Sequence, residues 1–227
     1  INTVFNRVKF AVMNSELAFT LPEYQLACGI TDIMMHTMER YFIPGIKCQL
    51  TDEISEGLLR TVIENGRLVM KNKEDYDAMA EVMWCSSISH NNLTEAGRGK
   101  DFSVHKLGQA LGAKYDVAHG ASLAAVWGSW ARYQYSSAAG RFARFADKVW
   151  GIRKEDEKEA ALAGIEATEA YFRAIGMPTS LTELGVDPSE EDLRELSLNA
   201  TMNDTVKLSR LKPLGAEEVL EIYHMAR

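Results

Sequence analysis

Apolar residues fall at helical spacing through most of this chain. Between Leu21 and Phe42 they recur at Leu26, Ile30, Ile33, Met34 and Met38, which predicts one long helix. Pro22 fits its first helical position, where the missing N–H costs nothing, and Pro44 with Gly45 ends it. A second helix runs to about Met70. Thr51 and Asp52 are its expected caps, and Ile54, Leu58, Leu59, Val62, Ile63 and Val69 its buried side. A third covers roughly Glu74–Ser89 and carries Tyr76, Met79, Val82, Met83 and Trp84. The polar run SHNNLTEAGRGK then reads as a loop. Asp101 is placed to cap a helix bearing Val104, His105, Leu107 and Leu111, and His119-Gly120 opens the next one. Further helices are expected near 138–150, 155–175, 181–184, 189–199 and 216–227, several of them punctuated by Gly, Pro or Asp-Pro-Ser. Only residues 7–13, RVKFAVM, alternate in the manner of a strand. A single strand makes no sheet. The pattern therefore predicts an all-α, multi-helix domain with one stray strand whose partner lies elsewhere.

Composition narrows this picture. The 227 residues suffice for one large core or two small ones, and 46% hydrophobic with 25% charged residues is ordinary for a globular protein. The net charge of −7 argues against a nucleic-acid partner. No apolar run approaches the roughly 20 residues that span a bilayer, and no basic-plus-apolar signal segment opens the chain. Cys28, Cys48 and Cys85 are odd in number and widely spaced, so reduced thiols and a cytoplasmic location are expected. Trp84, Trp127, Trp130 and Trp150 lie among apolar neighbours and read as core.

Two polar residues interrupt the apolar face of the first helix. Asp32 and His36 are four apart, so both project from one side. Burying them there is costly unless something pairs them: a divalent cation, or a plain Asp–His hydrogen bond. His105 lies on another apolar helix and His119 at the start of the next, an arrangement that can bring two imidazoles together. Three nitrogens and one carboxylate oxygen suit Fe²⁺ or Zn²⁺ better than Mg²⁺ or Ca²⁺. Spacing alone leaves the alternative open, in which Asp32 pairs with His36 and the other two histidines cap helices. His90, beside Asn91 and Asn92, reads as an exposed loop residue at the edge of any cleft, and His224 as structural or solvated. Gly97 and Gly99 suggest a loop turn rather than a phosphate cradle. Phe102 is a candidate wall for a substrate pocket, or simply core.

Two longer stretches carry a family likeness. KFAVMNSELAFTLPEYQLACGITDIMMHTMERYF and DFSVHKLGQALGAKYDVAHGASLA resemble the C-terminal helical domain of the iron-containing alcohol dehydrogenases, in particular the butanol dehydrogenase-like, NAD(P)H-dependent aldehyde reductases. The resemblance implies a dehydroquinate synthase-like helical domain over 21–227. It also implies a metal, Fe²⁺ or Zn²⁺, held by Asp32, His36, His105 (in VHKLG) and His119 (in AHGASL). The implied reaction is hydride transfer between a primary alcohol or aldehyde and NAD(P)H, in an enzyme that is often a homodimer. Family members carry a Rossmann-like nucleotide domain with a GGGS-type turn before this region. No such turn occurs here, so residues 1–20 read as a remnant strand and connector, and a chain beginning at Ile1 is expected to be a fragment. Gln109 stands where several members have a further His. It cannot shuttle protons near neutral pH, but it can hydrogen-bond a substrate. The rivals are a glycerol dehydrogenase-like polyol oxidoreductase and a non-catalytic metal-binding or oligomerisation module.

Overall fold

The computed structural model describes residues 8–44 and 47–227; Arg7, the first residue of the expected strand, and Gly45 lie outside the described residues. Ten α-helices are seen among the described residues, with no β-sheet and one isolated antiparallel bridge, Leu208 to Leu214. The first five build the functional part: α1 (Glu23–Tyr41), α2 (Gln49–Lys71), α3 (Tyr76–His90), α4 (Ser103–Tyr115) and α5 (His119–Gln134). Around them lie α6 (Ala139–Trp150), α7 (Glu157–Ala174), α8 (Leu181–Leu184), α9 (Glu190–Ala200) and α10 (Ala216–Ala226).

The core centres on α1 and α5. Both are buried on more than one face, so neither reads as a simple amphipathic helix. They pack on each other, α2 and α3 cover α1, and α4, α7 and α10 cover α5. Gly120 permits the α1–α5 contact. A Cβ there would run into the backbone carbonyl of Cys28, so only glycine lets the start of α5 lie against α1. Gly108 serves α4 in the same way, since a Cβ would meet the side chains of Leu123 and Ser122 on α5. Trp127 and Trp130 are fully buried within this core.

Several expectations change. Residues 8–13 form no strand: Val8, Phe10 and Val12 are 76%, 81% and 82% exposed. Nothing in the described chain offers these residues a hydrogen-bonding edge. Pro22 sits at the N-cap of α1 rather than inside it. α2 starts at Gln49, a turn before the expected caps, because Asp52 is drawn into a buried ion pair instead. Its Oδ1 lies 2.5 Å from both Arg98 Nη2 and Arg141 Nη2. Phe102, not Asp101, occupies the N-cap of α4, although Asp101 Oδ1 still accepts from Ser103 N at 2.9 Å. Trp84 is 53% exposed on α3 rather than core. The segment beginning at Arg153 is the solvated helix start that its charges suggest, with Asp156 accepting from Lys158 N and Glu159 N.

Candidate metal centre

One carboxylate stands at the middle of the site. Asp32 and His36 lie one turn apart on α1, His105 comes from the first turn of α4, and His119 is the first residue of α5. The close α1–α5 contact at Gly120 is what brings His119 within reach of Asp32. The Nε2 atoms of His36, His105 and His119 lie 3.7, 3.4 and 3.5 Å from Asp32 Oδ1. Asp32, His36 and His105 each offer a ligand atom, all within 4.8 Å of one another. A fourth imidazole faces the other oxygen: His90 Nε2 is 3.3 Å from Asp32 Oδ2, and its ring lies tilted by 37° against His36 with centroids 3.8 Å apart.

Three of the rings, those of His105, His90 and His36, are held from behind. His105 Nδ1 hydrogen-bonds the buried carboxylate of Glu39, whose Oε1 also accepts from Val104 N at 2.6 Å. Glu39 thus caps α4 and orients the ring that α4 carries, leaving Nε2 to face Asp32. His90 Nδ1 lies 2.7 Å from Ser89 Oγ and 2.9 Å from the Ser86 carbonyl, and these contacts hold the ring from behind. Behind His36, Arg40 donates to the His36 carbonyl at 2.6 Å and to Nδ1 at 3.2 Å. Arginine cannot accept, so in this arrangement the proton of a neutral His36 sits on Nε2, toward Asp32. A cation bound there would take that proton's place.

The electrostatics match a cation site. Burial works against ionisation of Asp32, but the surrounding imidazoles of His105, His119, His90 and His36 outweigh it and hold the carboxyl far below its usual range. Burial, reinforced by the neighbouring His105, His90 and Arg40, pushes His36 down to about 3, so this ring is neutral at ordinary pH. His105 is buried as well, yet its contacts with Asp32 and Glu39 raise it to about 9. Asp32 Oδ1 and His105 Nε2 are both buried without a well-formed hydrogen bond. Two orphaned buried polar atoms facing each other, in a set of imidazoles around one carboxylate, fit a divalent cation such as Fe²⁺ or Zn²⁺.

Of the two residues proposed for substrate, Phe102 adjoins the centre. It adopts a left-handed backbone (φ 60°), and its ring centroid lies 5.2 Å from that of His36 and 4.8 Å from that of His105. Gln109 is exposed and lines a shallow surface hollow with Lys106, Ala113 and Met202. His90 is a correction: it is the last residue of α3, seated against Asp32, and not a loop residue. No sequence signal ties it to α1. Glu39 did carry one, since it lies seven residues after Asp32 and three after His36, on the same face of α1.

With this geometry in place, comparison with known proteins defines the class. Residues 26–227 match the pattern of the Fe-containing alcohol dehydrogenase family, C-terminal. This chain therefore belongs to the Fe-containing alcohol dehydrogenase family. It is 36% identical over 219 residues to NADH-dependent butanol dehydrogenase A of Clostridium acetobutylicum, covering 96% of this chain and 56% of that protein. It is 34% identical over 180 residues to NADPH-dependent aldehyde reductase YqhD of Escherichia coli, covering 79% and 46%. The crystal structure of E. coli K-12 YqhD superposes with a TM-score of 0.91 at 30% identity, over 96% of this chain and 55% of that one. NADH-dependent butanol dehydrogenase A from Thermotoga maritima gives a TM-score of 0.87 at 33% identity, over 93% and 54%. The chain thus spans about half the length of the curated relatives it matches. No described helix is long and apolar enough to cross a membrane.

Proposed function

We propose that this chain is the metal-binding helical part, of the dehydroquinate synthase-like type, of an NAD(P)-linked alcohol dehydrogenase or aldehyde reductase. The observation that carries the reading is the convergence of three imidazole Nε2 atoms on Asp32 Oδ1. Asp32, His36, His105 and His119 would hold Fe²⁺ or Zn²⁺. When bound, such an ion supplies Lewis acidity toward a carbonyl or alkoxide oxygen. The chain's own residues do the positioning. Glu39 fixes the ring of His105, Arg40 backs His36, and Phe102 closes one side of the site against water. Gln109 is the further residue we assign to substrate contact.

Hydride transfer needs NAD(P)H, which we assign to a preceding Rossmann-like domain, with residues 1–20 as the lead-in from it. The relatives are about twice as long as this chain, which supports that assignment. Their names, butanol dehydrogenase and aldehyde reductase, support a primary alcohol or aldehyde as the substrate. Assembly as a homodimer in the cytoplasm completes the proposal.

The test combines metal analysis with a nicotinamide assay. The chain should retain about one divalent ion, and Asp32→Ala and His105→Ala should each abolish that retention. Butanal-dependent oxidation of NADH or NADPH should appear in the form carrying the nucleotide-binding half, and disappear in the same variants. Full metal occupancy in either variant would defeat the reading. Metal uptake with no aldehyde reduction by the longer form would instead favour a non-catalytic metal-binding module.

A further inference from the structure

A hollow of about 220 Å³ lies between α1 and α3 and ends at the metal centre. Its walls are Ile30 and Ile33 of α1 with Met79, Val82 and Met83 of α3. Its polar groups are few: Asp32 and His90 where it meets the centre, Ser86 beside them, and Gln25 in the first turn of α1, away from the centre. Such a cavity, with apolar walls between α1 and α3 and its charged and imidazole groups at the metal end, matches a ligand with a hydrocarbon tail and one polar head. Methionine side chains suit a tail of variable length, because they repack at little cost.

Gly29 adds a second, independent observation. It lies inside α1, where glycine weakens a helix relative to alanine. Packing does not require it, because a Cβ built there meets nothing within 4 Å. Gly108 and Gly120, by contrast, are needed for close helix contacts. Gly29 lines the hollow, and its missing side chain keeps that hollow open.

We propose that the α1–α3 hollow is an aliphatic-chain subsite that holds the unbranched hydrocarbon tail of the substrate, with Gly29 as the residue that keeps it open. The proposal deepens the reading of the metal centre and rests on it for the chemistry of the head group. Substrate range then depends on Gly29, Met79 and Met83. Bulk at position 29 shortens the accepted chain without touching a metal ligand.

The test uses the chain labelled with ¹³C at its methionine methyls and titrated with ethanol, 1-butanol and 1-hexanol, with and without Zn²⁺. The Met79 and Met83 signals are assigned through Met79→Leu and Met83→Leu. These two signals should shift saturably, and affinity should rise about fourfold per added methylene. Gly29→Leu should weaken 1-hexanol binding at least tenfold while its Zn²⁺ titration matches wild type. Gly29→Ala should raise the melting temperature, which shows that position 29 tolerates a side chain in the fold. Silent Met79 and Met83 signals, equal affinity for ethanol and 1-hexanol, or unchanged 1-hexanol binding in Gly29→Leu would each overturn the subsite. A chain that takes up no Zn²⁺ overturns the metal centre instead, and the zinc-free titration then decides the subsite by the same criteria.

Discussion

Glu39 separates the ligands of the centre from the groups that hold them in place. Its carboxylate is buried, caps α4 and fixes the ring of His105, yet it faces away from the point where the Nε2 atoms meet. Glu39→Gln keeps the shape and the acceptor but removes the charge. Metal affinity should fall about 10- to 100-fold, the usual effect of losing a group that orients a ligand, while helix content by circular dichroism stays constant. Affinity within twofold of wild type, measured by calorimetry, would contradict this role. At this scale the sequence was legible in part. The spacing of Asp32 and His36 fixed them on one helix face. Joining them to His105 and His119 took the family likeness, because two helices and a turn separate the pairs. His90 was beyond local reading: its place beside Asp32 is set by how α3 lies on α1, and no periodicity encodes that crossing.

The helices hold the centre through two different kinds of contact. The first is close backbone approach. Gly120→Ala would force α5 away from α1 at Cys28 and carry His119 with it. Overpacking of this kind costs about 1–3 kcal/mol, so denaturant melts should show that loss together with weaker metal binding. Unchanged stability and affinity would mean that the contact yields without cost. The second is the buried ion-pair group of Asp52, Arg98 and Arg141, which ties α2 to the loop before α4 and to α6. Burial opposes ionisation of Asp52, but the Arg141 and Arg98 guanidiniums more than offset it and hold the carboxyl below its ordinary range. A depressed carboxyl contributes its full stability above the unfolded pKa of about 3.9, and loses it as pH falls through the folded value. Asp52→Asn should therefore cost about 3–5 kcal/mol at pH 7, because buried Arg98 loses its partner. Urea melts should show the gap to wild type narrowing between pH 5 and pH 3; a gap that holds steady or widens would contradict the ion pair. Helix existence and order were legible from hydrophobic spacing and from punctuation such as the Asp-Pro-Ser run before α9, where Ser189 caps the helix. The start of α2 was not, because a tertiary partner claimed the residue that local rules assign to a cap.

For the whole molecule, the described helices pack without the apolar side chains of Val8, Phe10 and Val12. Val8, Phe10 and Val12 alternate like a strand and stand exposed: alternation marks which faces are apolar, and pairing needs an edge that the described residues do not offer. Replacing all three with Ser should leave the melting temperature of this chain within about 2 °C, since surface substitutions rarely exceed 0.5 kcal/mol. A larger drop would mean that these side chains are buried in solution. Metal binding should stabilise the molecule as a whole, because the ligands come from three helices that separate on unfolding.

The most direct measurement is an anomalous-scattering map from crystals of the chain loaded with Fe²⁺ or Zn²⁺, collected at the absorption edge of the metal. It should contain one strong peak, about 2.0–2.2 Å from an oxygen of Asp32 and from the Nε2 atoms of His36, His105 and His119. A map with no peak among these side chains, or with the metal held elsewhere on the chain, would contradict the account.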